Sequence, residues 1–137
     1  MKDIENQYNF IIPGNPISKK NSSRIMINQK TGKHFIYPSK QYKEFEQMAG
    51  WAFSGKDTEL KIDYPVNVAC HYYMKTRRKV DLVNLLEATN DVLVKYGILE
   101  DDNCKIVVSH DGSRIFYDKE NPRTEIIISK SDFSLSF

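Results

Sequence analysis

Cysteine is scarce in this sequence: Cys70 and Cys104 are the whole supply. Two thiols cannot make a disulfide framework, and they fall short of the roughly four ligands that close a structural zinc cage. Both are expected to be reduced thiols in the core. Long apolar runs are missing as well. No stretch reaches the roughly eighteen apolar residues of a membrane span, and Met1-Lys2-Asp3-Ile4-Glu5 lacks the apolar core of a signal peptide. The expectation is a soluble, cytoplasmic chain with no membrane association. There is no Gly-rich phosphate loop, no nucleophile elbow and no pair of zinc-ligand motifs. His34, His71 and His110 stand far apart and form no nucleophile or metal pattern. Nor is charge of one sign in large excess, since 20 Lys and Arg face 18 Asp and Glu for a formal +2. That total alone announces no nucleic-acid partner.

What the chain does have is local clustering. Lys19, Lys20 and Arg24 share one polar stretch, Lys75, Arg77, Arg78 and Lys79 make another, and acids gather between Glu87 and Asp102. The 137 residues suffice for one domain with a real core.

Tyr8 to Ile12 is aromatic and β-branched and stops at Pro13-Gly14, which predicts a strand ending in a turn. Pro13 to Arg24 then reads as a loop rich in hydrogen-bond donors. Such a stretch is ordinarily just solvated, yet Lys19, Lys20, Asn21 and Arg24 are also side chains that contact phosphate oxygens. Arg24 to Asn28 and Lys33 to Tyr37 flank a turn with Gly32, a hairpin pattern. Tyr42, Phe45, Met48, Ala49 and Ala52 recur at helical spacing after Pro38-Ser39, predicting a helix over 39–53 with Ser39 as its cap. Val66 to Met74 predicts a strand that delivers the chain into the basic run 75–79. Lys105 to His110 predicts another, Asp111-Gly112 a turn after which Ser113 to Tyr117 extends the strand system, and Thr124 to Ile128 the last. The tail from Ser129 is expected to fray. The order β, ββ, α, β, α, ββ, without internal repeats, implies an α+β single domain of a mixed sheet and two main helices.

The second helix organises the rest. Stepping residues 79–103 at about 100° each places Leu82, Leu85, Leu86, Thr89, Val92, Leu93 and Tyr96 on one arc. Asp81, Asn84, Glu87, Asp91 and Lys95 fall on the other. The first arc packs and the second is free for chemistry. Gly97 suits the positive φ that follows a helix end, and Glu100, Asp101 and Asp102 come next.

Each acid taken singly has an ordinary explanation: Asp81 as an N-cap, Asp91 paired with Lys95, Glu87 as surface, and 100–102 as a solvated turn. Together, with basic stretches on either side, they suggest a site. Clustered carboxylates raise one another's pKa, and a hard divalent cation removes that repulsion. Asp81, Glu87, Asp91, Asp101 and Asp102 therefore point to metal-assisted phosphodiester hydrolysis.

At these residues the sequence resembles the RusA family of Holliday junction resolvases. The likeness spans about residues 8–128, leaving 129–137 as a tail. It is carried by Pro13-Gly14-Asn15-Pro16 with Ser18-Lys19-Lys20-Asn21, and by the 39–53 helix. After them come a basic run into Asp81-Leu82-x-Asn84-Leu85-Leu86-x-Ala88-x-x-Asp91-x-Leu93, and the closing Asp101-Asp102. The resemblance implies a homodimer that binds four-way DNA junctions and nicks both strands with Mg²⁺ or Mn²⁺. It places metal-binding acids at Asp81 and Asp102, with Asp91 and Asp101 at further acidic positions. Lys19, Lys20, Asn21, Arg24, Lys75, Arg77, Arg78 and Lys79 become the expected DNA contacts.

Two positions depart from the pattern. Val83 stands where the family has a second helix acid, and Glu87 where it usually has lysine. Positions four apart are neighbours on one helix face, so Glu87 is expected to restore the missing carboxylate as a metal ligand and catalytic residue beside Asp81, Asp91 and Asp102. The other readings are a junction-binding protein that has lost cleavage because Val83 removed a ligand, and a regulatory domain whose acids are only solvated.

Overall fold

The computed structural model describes residues 7–19, 24–37, 39–55 and 60–132. The strands are β1 (Gln7–Pro13), β2 (Arg24–Ile27), β3 (His34–Tyr37), β4 (Val66–Met74), β5 (Val107–Ser109), β6 (Arg114–Tyr117) and β7 (Arg123–Lys130). The helices are α1 (Lys40–Ala52), between β3 and β4, and α2 (Leu82–Lys95), between β4 and β5.

β4 is the hub because it is long, β-branched and aromatic, and its alternate residues Val66, Val68, Cys70, Tyr72 and Met74 are all buried. It pairs antiparallel with β7 along its length. On its other side it pairs parallel with β5 and then with β6. β1 adds to the far side of β7, giving a mixed five-stranded sheet, while β2 and β3 form a separate hairpin. Both helices cover one sheet face. Tyr42, Phe45 and Ala49 of α1 and Leu85, Ala88, Val92 and Leu93 of α2 join Phe10, Ile12, Ile126 and Ile128 in one core cluster. Thr89 is polar and yet belongs there, because its hydroxyl donates to the Leu85 carbonyl and meets the Tyr72 hydroxyl at 2.7 Å.

The α+β class, the hairpin and both helices agree with the sequence pattern, down to Ser39, whose Oγ accepts from the Tyr42 amide at 3.1 Å. Three expectations need correction. Cys104 is exposed, because it opens the turn formed by residues 104–106, so only Cys70 is a core thiol. That turn also shortens the predicted 105–110 strand to β5. Residues 114–117 do extend the strand system, as a separate strand on the far half of β4. Ser129 and Lys130 do not fray: they pair with Asn67 and Val66, and the Ser131 amide reaches the Pro65 carbonyl.

Gly50 sets how closely α1 approaches the end of α2. A Cβ there would lie 2.7 Å from the Tyr96 ring. That ring is held by its hydroxyl, which donates to the Glu46 carbonyl, and by an edge contact from Phe53. Gly50→Ala is therefore expected to lower stability by about 1–3 kcal/mol through overpacking, despite the better helix propensity of alanine. Urea unfolding measures this; an unchanged midpoint would show that Tyr96 swings aside freely.

Candidate active site

α2 separates its two arcs as its pattern predicts. Leu85, Ala88, Thr89, Val92 and Leu93 are buried, while Asp81, Val83 and Glu87 are exposed and Asp91 is half-buried at the edge of the packed face. Asp81 occupies the N-cap position with extended backbone, but its carboxylate makes no capping bond to the helix backbone and accepts instead from Asn84 Nδ2 at 3.2 Å. Along the axis Asp81 and Asp91 are roughly 15 Å apart at 1.5 Å per residue, so one ion cannot touch both. Glu87 stands between them.

After α2 the chain reverses at Gly97, whose φ is 76°. The Ile98 and Leu99 amides both donate to the Leu93 carbonyl, and Ile62 bonds both Ile98 and Glu100. With Ile98 and Leu99 buried, this clamp fixes where the acidic loop begins. Asp101 spends its carboxylate on that loop, accepting from Asn103 Nδ2 at 3.0 Å and from the Asp102 amide at 2.8 Å. Those bonds, the Asn103 one foremost, hold its pKa below the usual carboxylate value. Asp102 is the acid that turns toward α2.

There it lines an open hollow with Lys19, Tyr42, Glu46, Asp91, Val94 and Lys95. Burial first, and then the charges of Asp102, Glu87 and Glu46, push the Asp91 pKa up, against the opposing effect of Lys19. Lys19 Nζ lies 5.9 Å from the centre of the Tyr42 ring. Burial is also what most raises the Tyr42 phenol, with Glu46, Asp91 and Glu87 adding to it. Lys95 pairs with Glu46 across the helix interface at 3.3 Å.

Of the residues singled out from sequence, the structure thus brings Lys19, Asp91 and Asp102 to one hollow, with Glu87 within electrostatic reach. Lys75, Arg77, Arg78 and Lys79 are all exposed on the connection into α2. The Lys75 amide donates to Asn15 Oδ1 at 2.8 Å, tying that connection to the Pro-Gly-Asn-Pro loop. Lys20 and Asn21 lie outside the described residues, as does the side chain of Arg24. Sequence reading missed Glu46, which follows Tyr42 by one helical turn at the border of the apolar stripe, where an acid signals nothing by itself. It also took Tyr42 only as core, and paired Lys95 with the wrong acid.

Hard carboxylate oxygens that repel one another suit a hard divalent cation in kind. Among the described residues no three Asp, Glu, His or Cys side chains converge on one point. What the chain offers is the pair Asp91 and Asp102 on a solvated hollow, the third carboxylate there, Glu46, being engaged by Lys95. Mg²⁺ is commonly held by one or two carboxylates with water and phosphate oxygens completing its shell, so the pair fits that ion.

A raised pKa means that charged Asp91 costs the fold free energy. The stability linked to its protonation is fully present below the unfolded carboxylate pKa and lost as pH rises through the raised folded value. Asp91→Asn is therefore expected to raise the Tm at pH 7, with the gain vanishing below about pH 3. Calorimetry across that range checks it; a loss at neutral pH would show that Lys19 outweighs burial.

A family model described as Endodeoxyribonuclease RusA matches residues 13–129, nearly the whole described chain. This protein belongs to the RusA family. A Crossover junction endodeoxyribonuclease RusA from Aquifex aeolicus (strain VF5) is 32% identical to it over 88 residues, covering 64% of this chain and 66% of the relative. The shared stretch is thus just under two thirds of that RusA protein. The matched span includes β4, β5, β6 and nearly all of β7, both helices, the hollow and the basic connection, but of β1 only Pro13.

Proposed function

We propose that this RusA-family chain is a divalent-metal-dependent endonuclease that resolves four-way DNA junctions, acting as a homodimer in the cytoplasm during recombination and repair. The observation that carries this reading is the meeting of Asp102 with Asp91 and Lys19 in one hollow, on a chain whose family and curated relative are named for endodeoxyribonuclease activity. Asp91 and Asp102 would hold Mg²⁺ or Mn²⁺, with Glu87 alongside. Asp81, at a family ligand position, adds a further acid at the start of the same helix face. Such an ion supplies an activated water and offsets charge on the phosphate.

The chain's own residues do the rest. Lys19 faces the hollow and is the cation placed to balance a phosphate there. Lys75, Arg77, Arg78 and Lys79 hold the neighbouring backbone, with Lys20, Asn21 and Arg24 as further contacts from the preceding loop. Asp101 holds the loop in shape, which aims Asp102. Among the described residues no helix is long and apolar enough to cross a membrane, and the basic connection is read as a DNA surface.

The deciding experiment is a labelled synthetic four-way junction incubated with Mg²⁺, Mn²⁺ or EDTA. Metal-dependent symmetric nicks support the resolvase, and an elution mass of two chains supports the dimer. Tight, salt-sensitive binding without nicks supports the second reading, a junction-holding protein that has lost cleavage. The observation favouring that alternative is Val83, an apolar side chain 71% exposed at the place of a family acid.

A further inference from the structure

The sheet face away from the helices carries a ladder that the acidic hollow does not use. Tyr73 on β4 is in register with Arg123 on β7 to one side and with Phe116 on β6 to the other. The Arg123 guanidinium lies 3.8 Å from the Tyr73 ring centre. Phe116 stacks on Tyr73 with centres 4.8 Å apart and planes 14° from parallel. Asp118 at 3.0 Å and Glu125 at 2.7 Å fix Arg123 in place, and His71 meets Phe116 edge-on at 5.5 Å. The stack thus runs guanidinium, phenol, phenyl across three strands and stops at the sheet edge. Among the described residues β6 pairs with β4 alone. Tyr73 stacks on one face of Phe116, and the residue as a whole keeps 37% of its surface exposed.

An edge strand with Ile115, Phe116 and Tyr117 all exposed is a liability unless something covers it. The surroundings say what kind of group. The exposed cations Lys75, Arg77, Arg78 and Lys79 follow β4 directly, and residues 75–80 include no acid. Arg77 lies 4.1 Å from the Tyr117 ring centre, and the Asp118 amide donates to the Met74 carbonyl, so the end of β6 is tied to the start of the basic run. A flat aromatic face beside a row of cations is the arrangement that stacks a nucleobase while holding its backbone. A second copy of this chain would instead bring two such basic runs onto one interface, where like charges oppose association.

We propose that Phe116, backed by Tyr73 and Arg123, is a stacking platform for an unpaired nucleic-acid base, with the 75–79 run taking the adjacent phosphates. This rests on the branched-DNA reading and adds to it the feature recognised: a base freed from its stack where duplex arms part.

The test compares a single-stranded dT oligomer with an abasic oligomer of equal length, by fluorescence anisotropy in EDTA. The wild-type protein is expected to bind dT at least about fivefold more tightly. Phe116→Ala and Phe116→Leu should erase that preference and leave abasic binding unchanged, because both remove a ring and no charge. Phe116→Tyr should keep it, and circular dichroism verifies that each variant folds. Equal wild-type affinity for the two oligomers, or equal losses for both in Phe116→Ala, overturns the platform. So does a change in the mass of free Phe116→Ala by light scattering, which would make the edge a contact between copies. A dT preference in a protein that neither nicks nor holds the junction leaves the platform standing and the resolvase reading fallen. Nicking without any base preference does the reverse.

Discussion

Asp102→Asn is expected to lower junction cleavage by about a thousandfold or more while junction binding is kept or strengthened. Asp102 is exposed, so the change removes no packing, and its neighbour Asp101 makes the bonds that shape the loop. The substitution therefore leaves the fold and takes away one of the three carboxylates at the hollow, of which Glu46 is already paired with Lys95. Losing a ligand to the ion costs several kcal/mol of transition-state stabilisation, and each 1.36 kcal/mol is about tenfold in rate. Binding moves the other way, since one negative charge is removed beside the phosphates. Single-turnover cleavage with Mg²⁺ and gel-shift titration in EDTA separate the two effects. Retained cleavage would remove Asp102 from the reaction, and lost binding with an intact fold would make it a DNA-positioning residue.

How far the sequence was legible follows from which forces decided each element. The helices and β4 were readable because their apolar spacing is long and strict: all nine residues of β4 alternate buried and half-buried. The bounds of β5, the pairing of β6 and the end of β7 were not, because runs of three or four residues carry too little pattern. They are set by pairing with β4, a contact between residues about 40 positions apart in sequence for β5 and β6 and more than 60 for the end of β7. The site divides in the same way. The acids of α2 and the approach of Asp102 could be argued from one helix, a glycine and a short loop. Glu46 and Lys19 reach the hollow only through the packing of α1 on α2 and the course of the first loop, neither of which has a local signal. The Arg123–Tyr73–Phe116 ladder depends wholly on register across three strands.

Glu87→Gln is the substitution that decides whether the departure from the family pattern matters. Val83 is 71% exposed, so no packing demand explains an apolar side chain where the family carries an acid. Glu87 is one turn further along the same face, and its charge is felt at both Asp91 and Tyr42. On the proposed reading a carboxylate has moved one turn toward Asp91 and Asp102, into the place where the resemblance expects lysine, while Lys19 brings a positive charge to that hollow from another part of the chain. If this relocation keeps the site working, Glu87→Gln should reduce metal-dependent cleavage by about 10- to 100-fold and raise the Mg²⁺ concentration for half-maximal rate. It should also lower the Asp91 pKa, since one of the charges that raises it is gone; carboxylate NMR titration reads that shift without any cleavage assay. Val83→Ala, at an exposed position, should leave stability and rate nearly unchanged. If Glu87→Gln cuts as fast as wild type while the Asp91 shift appears as expected, Glu87 is an electrostatic neighbour and not a ligand. Catalysis then rests on Asp91 and Asp102 with Lys19.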